Sequence, residues 1–176
     1  MRIIDAVRRT DRPDPVVLID GRSGAGKSTL ARRLADRWPL AAPAQLVALD
    51  AIYPGWDGLA EGAERARAQI LHPHRQGVPG TWRRYDWATG EYAESHTVDP
   101  GRGVILEGCG ALTPGSSRDA DVRVWIDAPE PSRRGRALDR DGDLFRPHWR
   151  RWAAQEDKHL QDDDPIALAD LVIRVP

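Results

Sequence analysis

"VVLIDGRSGAGKSTLARRLADRW" occupies Val16–Trp38, and its reading decides the fold. Val16–Asp20 is a short apolar run that stops at Gly21, the pattern of a buried strand. From Lys27 the spacing changes. Leu30, Ala31, Leu34 and Trp38 recur at helical intervals, Arg32, Arg33, Asp36 and Arg37 fall on the other face, and Pro39 ends the helix. Between strand and helix lies a glycine-rich turn holding a lysine. Of 26 lysines and arginines only Lys27 and Lys158 are lysine, so a lysine between Gly26 and Ser28 stands out against the chain's preference for arginine.

Gly21, Gly26, Lys27 and Ser28 fit G-x-x-x-x-G-K-[ST], with a strand before and a helix after. Glycines let backbone wrap an anion without a Cβ in the way. Successive N–H groups and the helix N-terminus then point at the phosphates. A lysine ammonium is a compact point charge that reaches the β- and γ-phosphates, where the planar fork of arginine fits poorly. The Ser28 hydroxyl is a hard oxygen suited to Mg²⁺. The expected cofactor-binding set is Gly21, Ser23, Gly24, Ala25, Gly26, Lys27, Ser28 and Thr29, and the expected cofactors are ATP and Mg²⁺.

Working outward, 176 residues allow one domain with a substantial core, expected to span 1–176. The net charge of −1 gives no basic field for nucleic acid or an anionic membrane. The N-terminus lacks a secretory h-region, and no apolar run approaches the ~20 residues of a membrane helix, so the expected location is cytoplasmic. The single cysteine, Cys109, excludes an internal disulfide framework and reads as a small buried residue. The five histidines show no metal-ligand spacing. A small-molecule partner is expected, and a homo-oligomer is compatible with the chain.

Further apolar runs follow at Leu46–Asp50, Val104–Leu106, Val122–Ile126 and Leu171–Val175. Helical patterns at Leu59–Leu71, Pro131–Arg140 and Pro147–Gln161 alternate with them. Such alternation indicates an α/β fold, a parallel sheet covered by helices on both faces. "TWRRYDWATGEYAESHTV" (Thr81–Val98) alternates aromatic and polar residues around Thr89-Gly90 and predicts a β-hairpin inserted on that core.

Two strand-end acids lie where open α/β sheets bind ligands. Asp50 is the candidate base that orients an acceptor hydroxyl. Glu107 suits a carboxylate near Mg²⁺, so Ser28, Glu107 and Asp50 form the candidate metal-facing set. Arg133, Arg136 and Arg140 share a helical side and can neutralise transition-state charge while a lid closes. Tyr53, Trp56, Tyr85 and Trp87 offer faces for a planar ring.

In family order from Val16 onward, "IDGRSGAGKSTLARRLA", "LDAIY", "RRYDW", "VILEGCGAL", "VWIDAPEPSRRGRALDRDG" and "ADLVI" resemble the uridine kinase-like branch of the P-loop small-molecule kinases. The resemblance implies a three-layer P-loop kinase fold with a five-stranded parallel sheet in the order 2-3-1-4-5. It also implies a hairpin-bearing substrate region (about 81–98) and an arginine-bearing lid (about 131–146). It makes Asp50 the base, Lys27 a catalytic phosphate contact, Tyr85 and Asp86 substrate contacts beside Tyr53, Trp87 and Glu107, and Arg136 and Arg140 lid arginines, with Arg136 also on the nucleotide. In that family a histidine and an arginine closely follow the Tyr-Asp-aromatic motif. Here Trp87 leads into "ATGEYAESH", without the arginine and with His96 late.

The expected activity is transfer of the ATP γ-phosphate to a hydroxyl, with a nucleoside as leading acceptor. One alternative is a nucleoside monophosphate kinase, for which Arg65, Arg67, Arg83 and Arg84 could hold the acceptor phosphate. Another is a regulatory ATPase. A GTPase is disfavoured, since no lysine is available for N/T-K-x-D.

Overall fold

Val16–Asp20 (β1) is buried along its whole length, between two parallel neighbours, in a computed structural model that describes residues 2–176. Val104–Glu107 (β5) pairs with it on one side and Val122–Asp127 (β6) on the other. Gln45–Ala48 (β2) and Leu171–Arg174 (β7) close the edges, giving the order β2-β5-β1-β6-β7. All four pairings are parallel. Gly80–Asp86 (β3) and Glu91–Val98 (β4) form a separate antiparallel pair; passing over them, the core strands read 2-3-1-4-5.

The alternation of β1 assigns its two faces. Val16 and Leu18 join one core, with Leu49, Tyr53, Ile70, Leu106 and Trp152. Val17 and Ile19 join the other, with Leu34, Ile105, Val122 and Val124. Helix Lys27–Ala35 (α2) covers the second face with Ala31 and Leu34. Helix Arg2–Arg9 (α1) joins the same core through Ile3 and Val7, a helical pair one turn apart. Burying each contributes about 1.5–3 kcal/mol.

The first face carries Leu59–Ala66 (α3), whose helix continues through a π-helical stretch, Arg67–Leu71, into His72–Arg75 (α4). His72, Pro73 and His74 thus lie in the final turn. Glu130–Phe145 (α5) has a non-helical break at Gly142, and Trp149–Asp163 (α6) follows, then Pro165–Leu168 (α7). No helix among the described residues is long and apolar enough to cross a membrane.

One boundary differs from the expected run Leu46–Asp50. The strand stops at Ala48, and Leu49–Ala51 is a 3-10 turn. Leu49 is apolar because it anchors that turn in the core, not because it continues the strand, and Asp50 stands exposed on the turn.

Candidate active site

The turn between β1 and α2 folds around the Lys27 ammonium. Its Nζ donates to the carbonyls of Gly21 (2.7 Å) and Arg22 (3.2 Å) and to Cys109 Sγ (3.2 Å). Burial opposes the ammonium's charge, but Cys109, Glu107, Glu156 and Asp50 around it outweigh that and hold its pKa above the ordinary lysine range. Two glycines have no substitute here. Gly24 has φ +76°, and a Cβ there would overlap the Arg133 carbonyl; Gly21, at φ +150°, abuts the carbonyl of Ile126.

Side chains outside the motif hold the loop. Glu156, on α6 and buried, accepts the Ser23 N–H on Oε1 (2.7 Å) and the Arg22 Nε–H on Oε2 (3.0 Å). Burial alone would raise its pKa, yet the Ser23 hydrogen bonds and the Lys27 and Arg22 charges bring it below the usual carboxylate value. Cys109 is buried, as expected, and its thiol donates to Glu156 Oε1 at 3.3 Å. Burial pushes its pKa up to about 12, although Lys27 pulls the other way. Arg133, grouped by spacing with the lid arginines, is buried. It donates to the Ala128 carbonyl at 3.0 Å and the Ser23 carbonyl at 3.2 Å, clamping the start of α5 to the loop.

Asp20 is the most enclosed acid of the site. Oδ1 accepts the N–H groups of Gly21 (2.6 Å) and Gly110 (3.1 Å); Oδ2 accepts from Leu112 N (2.8 Å) and lies 3.0 Å from His159 Nε2. His159 Nδ1 in turn lies 2.8 Å from Asp163. Burial would lower the His159 pKa, but the two carboxylates raise it above the ordinary histidine value. A raised folded-state pKa favours the protonated ring. The stability it contributes is therefore full below the unfolded value of about 6.5 and is lost as pH rises through the folded value. Denaturant unfolding from about pH 6 to 9 should show that decline in the parent chain and a flatter profile in His159→Gln.

Two cavities open beside the loop. One, of about 200 Å³, is lined by Ser23, Gly24, Gly26, Lys27, Ser28 and Thr29, with Arg136 and Arg140 opposite. The other, of about 500 Å³, has an aromatic wall of Trp56, Tyr85, Trp87, Phe145 and Trp152. Ser23, Ser28, Asp50, Glu107 and Arg140 line both. Glu107, 5% exposed, has its pKa raised by burial, against the pull of Lys27 and a hydrogen bond from Ser28. The hairpin closes the larger cavity. Trp87 Nε1 donates to the Asp50 carbonyl (2.8 Å) and Tyr92 Oη to that of Ile52 (3.0 Å). Trp56 lies nearly parallel to Phe145 and His148, at interplanar angles of 13° and 12°.

Three expected contacts, Ala25, Gly21 and Asp86, line neither cavity. The Ala25 side chain is buried in the core, and its N–H donates to the Arg22 carbonyl. Gly21 lines neither cavity and acts through its carbonyl on Lys27. Asp86 lines neither as well: its carboxylate accepts the Ala88 and Thr89 N–H groups of the hairpin turn, which lower its pKa. Tyr53, by contrast, lines the larger cavity although almost wholly buried, its hydroxyl donating to the Cys109 carbonyl at 2.7 Å. Arg136 lines the smaller cavity, is exposed, and holds the Gly24 carbonyl (2.8 Å) and that of Pro176 (2.9 Å). Asp20, Glu156 and His159 escaped the sequence reading. Their signal was a helix whose buried stripe, Trp152-Glu156-His159, is polar at two of three positions.

Neither a protein-family model nor a curated protein matches the chain. Solved structures do. A Bacillus stearothermophilus protein described as a "Possible Uridine Kinase" superposes with a TM-score of 0.68 at 22% identity, over 98% of this chain and 100% of that one. A Silicibacter sp. TM1040 protein described as a "putative fructose transport system kinase" gives 0.66 at 22% identity, over 97% of each chain. This is the P-loop kinase fold. Within it, β1, the Gly21–Ser28 turn and α2 form the P-loop unit, and the β3–β4 hairpin is the addition that walls the larger cavity.

Proposed function

We propose that the chain is an ATP-dependent phosphotransferase that moves the γ-phosphate of Mg-ATP to a hydroxyl of a small molecule, most readily a nucleoside. One observation carries this reading. The phosphate-sized cavity over the P-loop and the aromatic cavity beneath the hairpin share a wall, and that wall holds Asp50, Glu107 and Arg140.

The donor set fits the metal. Ser28, Asp50 and Glu107 offer hard oxygens at the shared wall, and no group of three or more acidic, histidine or cysteine ligands occurs among the described residues. Mg²⁺ suits such a place, because it keeps waters and leans on phosphate oxygens more than on a protein cage. When bound, it would neutralise phosphate charge. Lys27 and the P-loop N–H groups hold the triphosphate tail. Asp50 accepts the acceptor's hydroxyl proton as that oxygen bonds to the γ-phosphorus and the bond to the bridging oxygen of ADP breaks. Arg140 lies beside the transferring group and takes up charge there. The aromatic wall shuts out water and offers faces for a planar ring.

An uncharged acceptor is favoured over a monophosphate by what the four candidate arginines do. Arg65 pairs with Glu61 and Arg67 with Glu64, while Arg83 donates to the hairpin carbonyls of Ala93 and Tyr92. Arg84 does line the cavity, but it is paired with Glu94. Both structural neighbours carry kinase names, one for a nucleoside. The test is ATP consumption against a panel of nucleosides, sugars and nucleoside monophosphates. Turnover should require a hydroxylated acceptor and be greatest with a nucleoside. Rapid ATP hydrolysis without acceptor, or a requirement for DNA or RNA, would overturn the reading.

A further inference from the structure

Adjacent residues of α6 hold the two halves of the site. Glu156 has both oxygens engaged on the P-loop, at Ser23 N–H and Arg22. Gln155 has both ends of its amide engaged on the loop that carries Trp56. Its Nε2 donates to the Trp56 carbonyl at 2.7 Å, and its Oε1 accepts the Leu59 N–H at 3.2 Å. That N–H is the first of α3 and has no intrahelical partner, and Gly58 before it supplies no capping side chain. Gln155 is thus the N-terminal cap of α3, supplied from another helix. The neighbouring turns repeat the arrangement. Arg151 pairs with Asp57 and Trp152 packs edge-on against Tyr53 (4.9 Å) on the acceptor side; His159 meets Asp20 on the phosphate side.

We infer that α6 couples the nucleotide cradle to the acceptor cavity, with Gln155 as the positioning residue on the acceptor side. The inference rests on the phosphotransferase reading, since it takes the triphosphate to bind at Lys27. An anion drawn onto the P-loop fixes the Ser23 backbone, and Ser23 and Arg22 hold both oxygens of Glu156. A helix has little internal play between consecutive residues, so fixing Glu156 fixes Gln155. Gln155 then orders Trp56–Leu59 and sets Trp56 in the cavity wall. The carboxamide donates to one backbone group and accepts from the other; a carboxylate would keep the Leu59 bond and lose the Trp56 bond. ATP binding therefore prepares the acceptor side before the acceptor arrives, and Gln155 acts without touching either substrate.

The experiment follows amide hydrogen exchange over residues 56–62, with binding of a non-hydrolysable ATP analogue and Mg²⁺ measured by calorimetry. In the parent chain, saturation with the analogue should slow exchange in that segment about fivefold or more, at the low end of ordinary coupling between sites. In Gln155→Leu, analogue affinity should stay within about threefold while the slowing disappears. Gln155→Glu, which keeps one of the two bonds, should show an intermediate response and serves if the leucine variant does not fold. A parent chain that binds the analogue with no change at 56–62, or variants that respond like the parent, overturns the coupling and leaves the phosphotransferase reading standing. Failure of the analogue to bind the parent chain overturns both.

Discussion

Asp50→Asn should lower turnover by about 10²-fold or more while leaving ATP affinity nearly unchanged. The two readouts separate because of where Asp50 stands. It lines both cavities, so on the proposed phosphotransferase reading its carboxylate meets transferring group and acceptor together. Its backbone is fixed independently of that carboxylate. Leu49 is buried beneath the turn, Ile52 N–H and Tyr53 N–H donate to the Leu49 carbonyl at 2.7 and 3.0 Å, and Trp87 Nε1 holds the Asp50 carbonyl. Asparagine keeps the size, the turn and one side-chain oxygen, and loses the negative charge and the proton acceptor. Steady-state turnover with a saturating acceptor, beside calorimetric titration with a non-hydrolysable ATP analogue, makes the comparison. Unchanged turnover would dismiss Asp50 as base and direct attention to Glu107, the other acid of the shared wall.

How legible this site was depended on whether a residue's role is set locally. The P-loop was legible because strand, glycines, lysine and helix are contiguous, and the backbone geometry that needs Gly24 is contained in that turn. The sheet faces were legible because alternation in Val16–Ile19 sorts side chains between two cores without further information. The arginines of α5 show where such reading ends. Arg133, Arg136 and Arg140 share one helical side at spacings of three and four, but Arg133 is swallowed by the junction with the P-loop, Arg136 lines only the smaller cavity and holds Gly24 and Pro176, and Arg140 lines both cavities. Spacing gives a side of the helix and not the depth at which each position is buried. Asp86 failed differently, because the turn it introduces offers two backbone N–H groups that claim its carboxylate first. Glu156 and His159 are 136 and 139 residues beyond Asp20, and only the tertiary placement of α6 brings them to the loop.

Lys27→Arg should lower kcat/KM by about 10²- to 10³-fold or more, nearly as far as Lys27→Met, although arginine keeps the charge. If charge alone were needed, a chain this rich in arginine could supply it from any of many positions. What Lys27 supplies is a charge that fits. Its Nζ sits among the Gly21 carbonyl, the Arg22 carbonyl and Cys109 Sγ, all within 3.2 Å, in a site that is 8% exposed. A guanidinium is wider, planar and carries five donors, so it cannot enter that enclosure without displacing the loop, whose N–H groups face the phosphates on the proposed reading. Moving the loop would in turn disturb the Ser23–Glu156 and Arg22–Glu156 contacts, so the arginine variant should also unfold at a lower temperature than the methionine variant. Because the pKa of Lys27 is raised, its charge persists through neutral and alkaline pH, and the activity profile should show no limb from Lys27 below about pH 10. Measuring kcat/KM and thermal midpoints for the three proteins decides the matter. An arginine variant within about tenfold of the parent would mean that charge, and not shape, is what this position provides.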